Sequence, residues 1–243
     1  MRSAVALIML LLAPAQAAAQ AVTLSWEGAI VSDYRFRGVS LSNREPALQG
    51  GIDAELESGF YAGLWGSSIA RSEGGARGEI DVIAGYRADL AGGKIDANVT
   101  WYLYPGDGAL DYVEANVRLE RELGPFEAEA GLSYAPPQGA LDRNDNGYAF
   151  AGLGHHVFRS PGSRVTVNGR AGYENGGLDL VENGGKIDWE VGAEVAALLD
   201  RDPDGRAVTW RLAYVDSNAE ALPARGSRNL AGAGLVASLK AEF

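Results

Sequence analysis

The chain contains no cysteine. A protein that leaves the cytoplasm without one has no disulfide to staple it, so its fold rests on backbone pairing and packing. Bases are scarce: 21 Lys and Arg stand against 32 Asp and Glu, for a formal net charge of −11. That surplus of acid argues against nucleic acid as a partner, because phosphate binding needs Lys and Arg. The two histidines, His155 and His156, are adjacent, so in an extended chain they face opposite ways. A Ser–His–acid constellation has little to build on. Ser68 and Ser133 can be nominated, but no pattern singles either out. The chain is therefore read as a non-enzyme, and an outer-membrane lipid-modifying enzyme is the least favoured reading. Beyond the first twenty residues no apolar run reaches about 18 residues, which excludes helical membrane spans.

Those first residues have the order of a secretory signal. Arg2 is the basic start, 4–12 is apolar, Pro14 breaks the run, and Ala15-Gln16-Ala17 and Ala17-Ala18-Ala19 offer small-residue cleavage sites. An apolar run of about ten residues is too short to anchor the chain in a bilayer. The expected division is a signal over 1–19 and one domain over 20–243. Loss of Arg2 moves the charge from −11 to −12.

What the mature chain has in abundance is alternation. Ala233, Leu235, Ala237, Leu239, Ala241 and Phe243 share one face of the last segment, and Ser238, Lys240 and Glu242 share the other. Such a period-2 pattern recurs over 24–36, 47–57, 60–70, 77–90, 94–104, 111–121, 126–135, 147–158, 164–174, 186–199, 206–216 and 229–243. Segments of roughly 9–14 residues suit strands crossing a bilayer at a tilt. The connections alternate as well. Those at 58–59, 91–93, 122–125, 160–163 and 200–205 are short, and the intervening ones are mostly longer. Short periplasmic turns opposite longer external loops mark outer-membrane barrels. The expected fold is therefore all-β: a transmembrane antiparallel β-barrel of about 12 strands in the outer membrane of a Gram-negative bacterium. A soluble sandwich is the rival.

The segment from Val31 through Ser32-Asp33-Tyr34-Arg35-Phe36-Arg37-Gly38-Val39-Ser40 is distinctive, as are Pro46-Ala47-Leu48-Gln49-Gly50-Gly51-Ile52-Asp53 and Ser58-Gly59-Phe60-Tyr61-Ala62-Gly63-Leu64-Trp65-Gly66-Ser67. Over about residues 26–70 the chain resembles the TorF family of porin-type proteobacterial outer-membrane proteins. The resemblance implies an outer-membrane barrel with a pore. It implies no established substrate and no catalytic residues.

On the first segment Trp26, Ile30, Tyr34 and Phe36 share one face; Glu27, Asp33, Arg35 and Arg37 share the other. Charge facing lipid costs about 2–4 kcal/mol near the bilayer midplane, so the charged face should look into the lumen. Asp33, Arg35 and Arg37 then form a ladder toward the external mouth. Two readings stand side by side: the ladder lines or constricts a pore, or it makes salt bridges with Asp53 and Glu55 of the next strand that hold the wall in register. Further lumenal charge candidates are Asp81, Arg87, Asp96, Glu114, Arg118, Glu190 and Arg211. Lumen-assigned acids outnumber bases, so an open pore should favour cations.

Aromatic side chains gather near segment ends, among them Tyr61, Trp65, Tyr102, Tyr104, Tyr148 and Phe150, and suit interfacial girdles. Asp-rich 142–147 and 200–205 match the opening of a calcium loop but lack the Glu at position 12, and Asp, Asn, Pro and Gly serve any turn. No metal ligand set and no cofactor is assigned. The loops, at roughly 6–12 residues, argue against adhesion and against a long constriction loop folded inward. The expected function is passive diffusion of small hydrophilic solutes. The alternative is a side-chain-filled barrel with a structural or surface-interaction role. Expected partners are outer-membrane lipid, the barrel-assembly machinery through Phe243, and the solutes; a monomer is the default.

Overall fold

The computed structural model describes residues 21–90, 92–181, 184–199, 206–219 and 229–243. The expected signal over 1–19 and the Asp-rich 200–205 lie outside them. The strands are β1 (Val22–Val31), β2 (Arg35–Phe36), β3 (Val39–Ser40), β4 (Ala47–Leu56), β5 (Phe60–Ser68), β6 (Gly78–Leu90), β7 (Gly93–Leu103), β8 (Tyr112–Leu123), β9 (Phe126–Ala135), β10 (Asn146–Ser160), β11 (Ser163–Gly176), β12 (Lys186–Leu198), β13 (Ala207–Ser217) and β14 (Gly234–Glu242). Twelve of these form one closed antiparallel barrel, and β2 and β3 make a separate two-stranded hairpin. Connections at one end are short, as at 57–59 and 124–125, and those at the other, as at 32–46 and 136–145, are long. The short end is periplasmic by the rule for outer-membrane barrels.

The outer face carries the apolar half of each alternation. Leu24, Leu48, Leu132, Val191 and Leu235 are all more than 60% exposed. A belt of bare aliphatic side chains on every side is unstable in water and stable in hydrocarbon. Hydrocarbon offers no partner to an unpaired N–H or C=O, so the sheet must have no free edge.

Closure occurs where β1 meets β14, in register from Glu27↔Glu242 to Val31↔Ser238. Trp26 and Phe243 extend the seam with reciprocal backbone hydrogen bonds of 2.9 Å, and their rings stack at 4.1 Å. On the lumenal side Glu27 and Glu242 lie directly opposite. Lys240 Nζ reaches both carboxylates, at 2.6 and 2.9 Å, and removes the repulsion.

The first strand is shorter than expected. It ends at Val31, not at 36, because the chain leaves the wall at Ser32, whose N–H donates the last seam bond to Ala237 O at 2.8 Å.

Stacked rings contribute about 0.5–1.5 kcal/mol beyond their burial. A double-mutant cycle on Trp26→Ala and Phe243→Ala, read by urea unfolding in lipid vesicles, should show a coupling of about that size.

Candidate functional site

Alternation fixes what faces the lumen. Glu27 on β1, Asp53 and Glu55 on β4, Asp81 and Arg87 on β6, Asp96 on β7, Glu114 and Arg118 on β8, Glu190 on β12 and Arg211 on β13 all lie on the inner face of the register. The bases are hubs between acids of the same and nearby strands. Arg87 lies 3.7 Å from Asp53, 2.9 Å from Glu55 and 3.0 Å from Asp96, and it covers the Tyr61 ring at 3.6 Å. Arg118 bridges Glu120 and Glu129, both at 2.8 Å, and Arg211 bridges Glu190 and Glu194 at 2.7 and 3.1 Å. These groups are partly wet, so each pair contributes only about 0–1 kcal/mol.

The external half is different. After Val31 the chain turns inward, although the short loops argue against a long constriction loop folded into the lumen. Arg35↔Ser40 and Phe36↔Val39 pair as β2 and β3. Arg37 and Gly38 form the two-residue turn, with φ of 48° and 84°. Positive φ at both turn positions is what a type I′ hairpin requires. Gly38 also has no room for a side chain, since a Cβ there would sit 2.9 Å from both Asp188 Cβ and Ser217 Cβ.

Asp33 braces the base of the hairpin, accepting from Arg35 Nε at 2.7 Å and from Ser40 Oγ at 2.5 Å. Arg35 Nη1 donates to Gly38 O at 3.1 Å and to Gly232 O at 2.8 Å. Arg37 spans the lumen: Nη2 donates to Glu114 Oε2 and Nη1 to Glu174 Oε1, each at 2.6 Å. Its guanidinium also lies 4.2 Å from the Tyr148 ring centre and 4.6 Å from that of Phe36. Glu114 and Glu174 are fully buried, and Lys186, almost as deep, pairs with Glu174. Two bases therefore balance two acids. Burial alone would lower the Arg37 pKa, but the two carboxylates outweigh it and hold the group above its ordinary value.

The ladder of Asp33, Arg35 and Arg37 is thus not part of the barrel wall. Arg37 does not meet Asp53 or Glu55, which turn to Arg87. Glu174 and Lys186 were not among the expected site residues. Their faces were readable from alternation; their meeting with Arg37 depends on the span of the barrel. The aromatics divide too. Trp26, Phe60, Trp101 and Trp210 face outward, while Tyr61, Trp65, Tyr102, Tyr148 and Phe150 face the lumen. Tyr34 packs on Trp65 with ring centres 5.6 Å apart, and Phe36 packs on Tyr102 at 5.9 Å. The 142–147 segment is a turn that runs into β10 at Asn146: Asp142 and Arg143 have φ of 51° and 64°, and Asp145 accepts from the Tyr134 hydroxyl at 3.2 Å.

Space remains around and beneath the hairpin. A cavity of ≈ 370 Å³ touches Arg37, Asp96, Arg118, Tyr148 and Arg170, and another of ≈ 320 Å³ touches Asp33, Trp65, Asp81 and Arg211. The periplasmic half holds wider cavities of ≈ 780 and ≈ 700 Å³.

A family model described as "Bacterial protein of unknown function (Gcw_chp)" matches residues 15–243. No curated protein matches the chain. Among solved structures, a NanC porin is 12% identical, with 91% of this chain and 99% of that one covered at a TM-score of 0.56. OccK5 (OpdH) from Pseudomonas aeruginosa is 15% identical at a TM-score of 0.43, with 88% of this chain covering 62% of that one. The likeness is one of fold.

Removing one partner of a buried ion pair costs about 3–5 kcal/mol. Arg37→Met should therefore speed amide hydrogen exchange at Ser40 and Leu41 by two powers of ten or more, with the β10–β11 amides unchanged.

Proposed function

The chain belongs to the bacterial Gcw_chp family of unknown function, and we propose that it is an outer-membrane channel for passive diffusion of small hydrophilic solutes, throttled by its own inward hairpin. The observation that carries this reading is the lumen itself: a charged inner face with cavities around and beneath a hairpin whose tip is held by the Arg37 ion pairs. Twelve strands lie between the 8-stranded barrels that side chains fill and the 16-stranded porins that stay open. In such a barrel a single folded loop is enough to set the aperture. Asp53, Asp81, Glu190 and their neighbours outnumber the bases, which supports a preference for cations.

The residues that would set conductance are Asp33, Arg35 and Arg37 on the hairpin and Glu114 and Glu174 on the wall. In the finer family reading the chain is TorF-like, on the motif from 31 to 67. Residues 1–19 act as a cleaved signal, Phe243 is the residue offered to the barrel-assembly machinery, the outer belt meets outer-membrane lipid, and the barrel works as a monomer.

A second reading has its own support. Arg37 is clamped across the lumen by two buried carboxylates, which also suits a filled barrel with a structural or surface-interaction role.

Planar-bilayer recording under a KCl gradient separates the two. The channel reading expects stable steps, a cation-selective reversal potential and a several-fold larger conductance when residues 34–41 are replaced by a short glycine linker. Silence from both proteins, each shown folded by its heat-dependent gel shift, would leave the filled barrel. An anion-selective potential would remove the cation preference alone.

A further inference from the structure

At the periplasmic rim, away from the hairpin, three chemically matched side chains converge. Glu122 on β8 and Glu127 on β9 are directly opposite each other across the turn that joins their strands. Like charges so placed are destabilising without a cation between them. His156 on β10 is the third. Its backbone N–H donates to Pro125 O at 2.9 Å, which ties it to the same turn. One carboxylate oxygen from each glutamate and one imidazole nitrogen lie within 4.8 Å of one another, the one such grouping of His, Asp and Glu among the described residues.

The histidine carries the inference. Its side chain is 1% exposed, so its nitrogens cannot turn to water for partners. Nδ1 lies 3.0 Å from Thr166 Oγ1 on β11. Nε2 points into the cluster, 3.0 Å from Glu127 Oε1, yet it has no hydrogen-bond partner. A buried ring nitrogen that meets a carboxylate at 3.0 Å without making a hydrogen bond to it calls for an explanation. With Nδ1–H donated to Thr166, the lone pair is on Nε2, beside the Glu127 carboxylate and in a cluster whose three ligand atoms lie within 4.8 Å of one another. That is the arrangement in which a second group orients a ligating imidazole. A β-bulge directly after His156 is the kind of local irregularity that re-aims side chains at sites.

Positive groups also face this place. Arg159 Nη2 lies 3.2 Å from Glu122 Oε1, and Arg164 is paired with Arg159 in the sheet register. The Arg159–Glu122 pair is exposed on both sides, so its hold is worth only about 0–1 kcal/mol and yields to a doubly charged ion. Access is open, because Glu122 and Glu127 line the ≈ 780 Å³ periplasmic cavity.

We propose that Glu122, Glu127 and His156 form a site for a divalent transition metal, of which zinc suits the donors best. One imidazole and two carboxylates are ordinary zinc ligands and leave a position for water. Thr166 is the positioning residue. An ion here pins β8, β9 and β10 together at the rim.

The test uses the full chain refolded in detergent and Zn2+ as probe, followed by titration calorimetry. One ion per chain is expected. His156→Ala should weaken binding at least 100-fold and Thr166→Val by 10–100-fold, as for other groups that orient a ligating histidine. His155→Ala should leave binding unchanged, since that ring lies on the opposite face against Phe126, 4.8 Å away. In the unsubstituted protein, the His156 Nε2 nitrogen-15 resonance should move on addition of Zn2+ while Nδ1 keeps its proton. This readout stands even where His156→Ala fails to fold. An unmoved His156 resonance, or equal loss of binding in His155→Ala, would overturn the site.

Discussion

Every strand of the barrel wall must find two neighbours, because hydrocarbon supplies nothing to an orphan N–H or C=O. That constraint forces the first strand onto the last and makes the β1–β14 seam the condition for everything else. The seam is short and asymmetrically provided for. Outside, it carries a stacked Trp26–Phe243 pair; inside, Lys240 between two glutamates that would repel each other. The absence of cysteine is no handicap in a fold whose ends are joined by hydrogen bonds.

Closure separates two solvents, and the side chains follow. The outer face needs only to be apolar. The inner face holds many charges in a confined space, and the structure answers in two ways. Toward the periplasm, Arg87, Arg118 and Arg211 are shared among acids but remain partly wet. Toward the outside, Glu114 and Glu174 are dry, and they are tolerable because Arg37 and Lys186 are delivered to them. A buried carboxylate without its base is costly, so the hairpin and the wall specify each other.

Most of the barrel was legible in the sequence. Segment 126–135 coincides with β9, and 47–57 exceeds β4 by one residue, because alternation between lipid and lumen leaves a strong period of two. The same signal misled at 24–36. Trp26 to Phe36 keeps alternating after the chain has left the wall, since β2 is itself extended, and periodicity does not tell a wall strand from an inward hairpin. The Arg37-Gly38 pair, flanked by extended residues, was the available clue to a two-residue turn. β5 failed differently. Phe60 to Ser68 contains no charged residue, so nothing in that stretch marked which face was lumenal, and Tyr61 and Trp65 were placed at the membrane interface. The meeting of Arg37 with Glu114 and Glu174 was out of reach, because it depends on how far the barrel holds opposite strands apart.

The hairpin directly follows the first strand, yet its anchors come much later in the chain. Glu114 is 77 residues beyond Arg37, Glu174 is 137 beyond it, and Gly232 is 197 beyond Arg35. Contacts so distant in sequence bear the full entropy of closing the intervening chain, and they form only once that chain is in place. The obstruction can therefore seat only after the cylinder is complete. A newly inserted molecule would then pass through a stage with formed walls and an unlatched bore, and the delay before latching is a matter of assembly kinetics as well as of the finished architecture.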